Sequence, residues 1–255
     1  MLKKTIASIW MLTILSAFTI SVNAQESDTY NMWECILLTP DYTQLPTLQK
    51  NMREHNAKYH SEGPFNATVY NIASGPNAGK MVWQMGPMMM KHNDERPAVG
   101  GHDENWNTKV MPYIKKMHTI EYWTQDDDKS NTALLAGPEV KYPILFIRYF
   151  EINSDNDFLV NQHFEEISKT IKALEGDNPW GLYYNEFIQG DLGRHIAGVN
   201  FYKNWAEMDE NRKFKETHGK LFGENAWDVF IDRADAVFSN RWDEIWVYNK
   251  DMSGD

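Results

Sequence analysis

The sequence predicts an α+β fold in which one strand–helix–strand–strand–helix–strand unit is written twice. Three observations carry this reading. Glu104-Asn105-Trp106 is echoed by Glu224-Asn225-Ala226-Trp227. Glu121 follows fifteen residues after Trp106, in Thr119-Ile120-Glu121-Tyr122-Trp123, and Glu244 follows seventeen after Trp227, in Asp243-Glu244-Ile245-Trp246. Finally, stretches of strand period and helix period succeed one another in the same order in both halves.

In the first half, Trp33 to Leu38 reads as a strand ended by Pro40. Asp41 can start a helix running to about Tyr59, with Leu45, Leu48, Met52 and His55 at helical spacing. Gly63-Pro64 breaks it. Phe65 to Ile72 alternates as a strand, Gly75-Pro76-Asn77-Ala78-Gly79 turns, and Lys80 to Met85 returns. Pro87 to Gly101 reads as irregular. Glu104 to Met117 is expected to be helical, with Pro112 kinking or splitting it. His118 to Gln125 is the fourth strand.

The polar run Asp126 to Asn131 and the Gly137-Pro138 pair mark a linker between the halves. The predicted organisation is therefore residues 1–24 as a signal, 25–126 as the first repeat, 127–140 as the linker and 141–250 as the second repeat. Pro143 to Phe150 is a strand. Ser154 or Asp155 caps a helix carrying Phe158, Leu159, His163, Phe164, Ile167, Ile171 and Leu174. Gly176-Asp177-Asn178-Pro179 ends it. Trp180 to Gln189 and Arg194 to Tyr202 form a strand pair, with Tyr183-Tyr184-Asn185 similar to Val69-Tyr70-Asn71. Helices are expected over Trp205 to Gly219 and Trp227 to Phe238, and a strand over Trp242 to Tyr248.

This element order, taken twice, is ferredoxin-like: a four-stranded antiparallel sheet with two helices on one face. The order and the internal repeat together make the chain resemble the dimeric α/β-barrel superfamily. That superfamily includes antibiotic-biosynthesis monooxygenase-like, NIPSNAP-like, EthD-like and chlorite-dismutase-like groups. The resemblance spans nearly all of 30–250 and implies two sheets meeting in a barrel, here within one chain as a pseudo-dimer. It carries no family-specific catalytic motif, and a fold alone does not assign function.

The N-terminus has the form of a secretory signal. Lys3 and Lys4 precede an apolar run from Ile6 to Ile20, and Val22-Asn23-Ala24 supplies small residues for cleavage. The run is short for a membrane-spanning helix and passes at once into Gln25-Glu26-Ser27-Asp28. A secreted or periplasmic location is the expectation. Cleavage after Ala24 removes two lysines and no acid, so the formal charge moves from −11 to −13. That argues against nucleic acid or an anionic membrane surface as partner. A small-molecule or oligosaccharide ligand is expected, with a homodimer left open. The single cysteine, Cys35, lies in an apolar strand and is read as buried and inert.

Phosphate loops, dinucleotide fingerprints, serine nucleophile elbows and Cys-pair or His-Glu-x-x-His zinc motifs are all missing from the sequence. No cofactor and no metal is therefore assigned. The run Met85-Gly86-Pro87-Met88-Met89-Met90-Lys91-His92 admits copper ligation, but a flexible apolar flap is the preferred reading. Matched features in a repeat tend to serve the shared scaffold. On that basis Trp106/Trp227, Glu121/Glu244 and His55/His163 are assigned to structure, the glutamates being satisfied by a partner such as Arg148, Arg194 or Arg241.

Residues that break the symmetry are the functional candidates. His195, Tyr184 and His102 are the catalytic set, and Arg148, Trp83 and His118 the substrate-binding set. Histidine near neutral pKa moves protons without a cofactor, and a tyrosine can act as acid or oxyanion donor. Tyr183 and Tyr184 are neighbours on a strand, so one faces the helices and one the barrel. The leading functional expectation is a cofactor-independent elimination on an acidic saccharide, with a base, an acid and a cation for the carboxylate. The alternatives are a binding protein for an aromatic or saccharide ligand, on which some of the nine tryptophans beyond the signal would stack while most fill the core, and a monooxygenase or haem-type oxidoreductase.

Overall fold

The computed structural model describes residues 29–96, 100–137, 139–153 and 158–254. The expected signal (1–24), Pro138 and the helix cap at Ser154 or Asp155 lie outside them. Among the described residues are eight strands: β1 Met32–Pro40, β2 Ala67–Ser74, β3 Met81–Met88, β4 Ile114–Gln125, β5 Ile144–Ile152, β6 Trp180–Asn185, β7 Ile196–Tyr202 and β8 Phe238–Tyr248. Five α-helical segments accompany them: α1 Leu45–Tyr59, α2 His102–Asn105, α3 Phe158–Ala173, α4 Phe214–Phe222 and α5 Ala226–Val237.

The strands close into a barrel in the order β1-β3-β2-β8-β5-β7-β6-β4, every neighbouring pair antiparallel. The first half runs β4-β1-β3-β2 and the second β8-β5-β7-β6, so each half keeps the same internal order. Two seams join them. In one, Tyr70, Asn71 and Ile72 of β2 face Tyr248, Val247 and Trp246 of β8. In the other, Trp123, Thr124 and Gln125 of β4 face Asn185, Tyr184 and Tyr183 of β6. Closure pairs every strand on both sides, which removes the exposed edges that invite aggregation.

Strand alternation sorts the apolar residues into three cores. Cys35, Leu37, Tyr70, Ile72, Trp123, Leu145, Ile147, Tyr149, Val199 and Trp246 point into the barrel. Met32, Ile36, Leu38, Val69, Trp83 and Met85 point outward under α1, which buries Leu48 and Met52 against them. Phe150, Leu182 and Ile196 do the same beneath Phe164 of α3 and Ala234 and Val237 of α5. A third contribution was not visible in the periodicities. Residues 249–254 return from β8 onto the first half: Met252 is fully buried in its outer core, and its carbonyl accepts from Asn56 Nδ2 at 2.6 Å. A Cβ on Gly254 would sit 2.3 Å from the His60 carbonyl, so only glycine permits this approach.

The expected helix over Glu104–Met117 is shorter. It begins at His102, passes through a π-turn at Trp106–Val110 and a 3-10 turn at Met111–Tyr113, and gives way to β4 at Ile114. Pro112 lacks the N–H that would carry the helix on. The expected helix over Trp205–Gly219 is likewise divided into a 3-10 segment, Trp205–Asp209, and α4. The stretch after Pro87 is not all irregular, since β3 extends to Met88 and a 3-10 turn covers Met90–Asn93. Among the described residues no helix is long and apolar enough to cross a membrane.

Candidate functional site in the barrel

The barrel encloses a cavity of about 680 Å³. Its walls are aromatic: Trp33, Tyr70, Trp123, Tyr149, Tyr183, Phe201 and Trp246 line it. Space exists beside Ala197, a small inward residue of β7. Ala197 faces Tyr149 across one ladder and Tyr183 across the other, where a larger side chain would fill the lumen. Trp33 meets Tyr183 edge-on at 5.5 Å, and Trp123 lies 5.7 Å from Tyr149. The exposed residues Ala136, Gly137, Glu139 and Val140, from the expected linker, rim the cavity together with Asn31, Gln125 and Thr132. The segment between the halves thus forms its mouth.

Beside this cavity, but not lining it, sit the matched glutamates. Glu121 pairs with Arg194 of the other half, both buried, and accepts from Trp123 Nε1 at 3.1 Å. Glu244 accepts from Trp246 Nε1 at 2.8 Å and from Asn77 Nδ2 at 2.6 Å. Each carboxylate therefore fixes the indole two residues on and receives a partner from the opposite half. Arg194 was among the partners expected for these glutamates, whereas the Asn77 contact was not.

The inward thiol and two of the phenols are held neutral. Burial pushes the Cys35 thiol up to about 12, with Glu121 and Glu34 adding to the rise against a Gln84 hydrogen bond. Burial also raises Tyr149 well above the usual phenol range, reinforced by Glu244, and raises Tyr183. Two polar groups stand out. Gln84 Nε2 donates to Cys35 Sγ at 3.5 Å, and Asn66 Oδ1 is buried without a protein partner. Such a site can stack a flat ring and offer it neutral hydrogen bonds.

The six sequence-predicted residues do not converge here. Tyr183 lines the cavity, whereas Tyr184 packs in the helix-facing core of the second half. Register explains the difference. Tyr183 pairs with Gln125 as Tyr70 pairs with Tyr248, so Tyr183 is the counterpart of Tyr70, one residue off the match suggested by the letters. His195 lies outside the cavity, its Nδ1 accepting from the Ile152 amide at 3.0 Å. Arg148 is an exposed partner of Asp243 at 2.8 Å. His118 shares a 2.8 Å hydrogen bond with Thr39 Oγ1, and burial with nearby Lys80 and Lys116 lowers its pKa.

Only His102 and Trp83 come near each other, and they do so on the outer face under α1. There His60 is the link: its ring meets Trp83 edge-on at 5.0 Å and its Nε2 lies 2.9 Å from His102 Nε2. His55 completes the group. Sequence reasoning left out His60, and it assigned His55 to scaffold alone. The Met-rich run does not form a detached flap either, since Met85 and Met88 are fully buried beneath α1.

No protein-family model matches the chain, and no curated protein matches it. Solved structures do. A candidate monooxygenase from Lactobacillus acidophilus superposes with a TM-score of 0.54 at 11% identity, covering 86% of this chain and 94% of that one. A candidate monooxygenase from Fusobacterium nucleatum gives 0.54 at 9% identity, covering 88% and 94%. A candidate chlorite dismutase gives 0.53 at 10% identity, covering 88% and 97%. These likenesses establish the fold: the chain is built as the ferredoxin-like α/β-barrel proteins are.

Proposed function

We propose that the barrel cavity binds a flat aromatic, phenol-like molecule and that the chain oxidises it. The observation that carries this reading is the cavity wall: aromatic on most sides, with its charged lining residues, Glu139 and Lys141, both exposed. The likeness in fold to two candidate monooxygenases supports oxidation over elimination. The repeated strand order supports an origin by tandem duplication, and the basic–apolar–small leader supports export from the cytoplasm.

The reaction proposed is oxygen insertion by dioxygen. A phenol with a free para C–H consumes one O2, gains one carbonyl oxygen as a quinone, and releases the second oxygen with two hydrogens as water. The protein's contribution is to stack the ring, exclude bulk water and hold the hydroxyl. Elimination from an acidic sugar is not carried forward, because His195, Tyr184 and Arg148 all lie outside the cavity. A carrier that binds without turnover is the second reading. It is favoured by the inward groups Cys35, Tyr149 and Tyr183, which burial raises and so keeps protonated near neutrality.

The experiment is oxygen uptake by the purified protein with a graded set of one- to three-ring phenols, together with product mass. One O2 consumed per quinone formed supports the enzyme. Saturable binding without oxygen uptake supports the carrier. No binding by any member removes both readings.

A further inference from the structure

A second site lies outside the barrel, where three buried histidines converge. His55 stands on the inner face of α1, His60 immediately follows that helix, and His102 opens α2 after Gly100 and Gly101, both at positive φ. One ring nitrogen from each lies within 4.8 Å of the other two. The three residues are 1%, 1% and 8% exposed, so solvent does not satisfy their rings.

The hydrogen bonds fix the tautomers. His55 Nδ1 faces Asn105 Oδ1 at 2.9 Å, His60 Nδ1 faces the Phe65 carbonyl at 2.9 Å, and His102 Nδ1 faces Asp103 Oδ1 at 2.7 Å. All three acceptors are oxygens without a hydrogen to give, so each Nδ1 carries the proton and each Nε2 turns a lone pair inward. His60 Nε2 and His102 Nε2 then face each other at 2.9 Å, and His55 Nε2 has no partner. A single shared proton would reconcile the first two, but it would bury an imidazolium and leave His55 unsatisfied. A metal cation resolves all three at once. Oxygen acceptors on the outer ring nitrogens are also the arrangement that orients histidine ligands in metal sites.

We propose that His55, His60 and His102 bind one divalent transition-metal ion of the Zn2+/Cu2+ class through their Nε2 atoms, with a fourth position left for water or an exogenous ligand. All-imidazole donors without thiolate suit these ions rather than Mg2+ or Ca2+. Metal–nitrogen bonds of about 2.0–2.1 Å place tetrahedral ligand atoms about 3.4 Å apart, so small ring movements suffice. Trp83, Trp106 and Tyr59 wall the site: Trp83 lies 5.0 Å from His60, Trp106 5.2 Å from His55, and Tyr59 5.0 Å from His55 and 5.2 Å from His102, between ring centroids. Among the described residues the second half offers no equivalent. His163 stacks on Phe230 at 4.4 Å, and Phe214, Phe222 and Trp227 occupy the space around His218. The site is thus a property of one half.

The test is metal titration of the full-length protein after chelation. Calorimetry with Zn2+ and the ligand-field spectrum with Co2+ report stoichiometry, and Cu2+ electron paramagnetic resonance reports nitrogen ligation. One equivalent is expected, with splitting from three imidazoles. His102→Ala should abolish it. The more exposed outer residues give variants that keep the fold: Asp103→Ala and Asn105→Ala should weaken binding about 10–100-fold. His195→Ala, elsewhere on the molecule, should change nothing. Absence of a saturable equivalent, or an affinity unmoved in His102→Ala and Asn105→Ala, overturns the proposal.

Discussion

At the scale of single residues, the buried ion pair between Arg194 and Glu121 joins the halves more firmly than any surface charge can. A surface pair such as Lys50–Glu54, at 3.9 Å, contributes about 0–1 kcal/mol. Removing one member of a buried pair instead leaves an uncompensated charge, at about 3–5 kcal/mol. Arg194→Ala is therefore expected to lower the unfolding free energy by about that much in urea titrations, and adding Glu121→Gln should restore a large part. An Arg194→Ala protein as stable as the parent would contradict the assignment. The matched glutamates were legible as scaffold because they recur with their tryptophans. His60 was not legible. It sits five residues beyond His55 and past the helix end, so helical spacing does not bring it to the same face, and only the chain reversal at its C-cap does.

At the scale of elements, the strand and helix periods located all eight strands and the first helix of each half, because each has one buried face. Boundaries failed where local chemistry overrode periodicity, as at Pro112. The choice between Tyr183 and Tyr184 lay beyond periodicity, which assigns neighbours on a strand to opposite faces without saying which face is which. The similarity of Tyr183-Tyr184-Asn185 to Val69-Tyr70-Asn71 is one residue out of register, and a one-residue slip in a strand exchanges its two faces. α3 supplies a pH test. Burial, with Arg233 and Arg241 nearby, lowers His163 to about 3. Its folded pKa lies below the unfolded value of about 6.5, so the unfolded chain binds the extra proton between them. The stability this neutral ring contributes is complete above about pH 6.5 and declines as pH falls towards 3. At pH 5 the loss is about 2 kcal/mol. Urea unfolding at the two ends of the range from about pH 7 to pH 5 should show a loss smaller by that amount in His163→Leu than in the parent. Equal losses would contradict the buried, neutral ring.

At the scale of the whole molecule, the barrel separates two environments. The lumen is aromatic and neutral, while the outer face of the first half gathers imidazoles under α1 and is closed by the returning tail at 249–254. The repeat predicted the barrel but not its contents, because a cavity depends on which inward positions are small. Ala197 is such a position, and nothing in its neighbourhood of sequence marks it. The lumen, as the proposed ligand site, is open to direct measurement. The direct measurement is quenching of tryptophan fluorescence by the graded phenols, in the parent and in Ala197→Phe. Trp33, Trp123 and Trp246 line the lumen, so the parent should show saturable, one-site quenching. Ala197→Phe should keep its circular dichroism and lose that quenching. Quenching of equal affinity in the filled variant would place the ligand elsewhere and contradict the account.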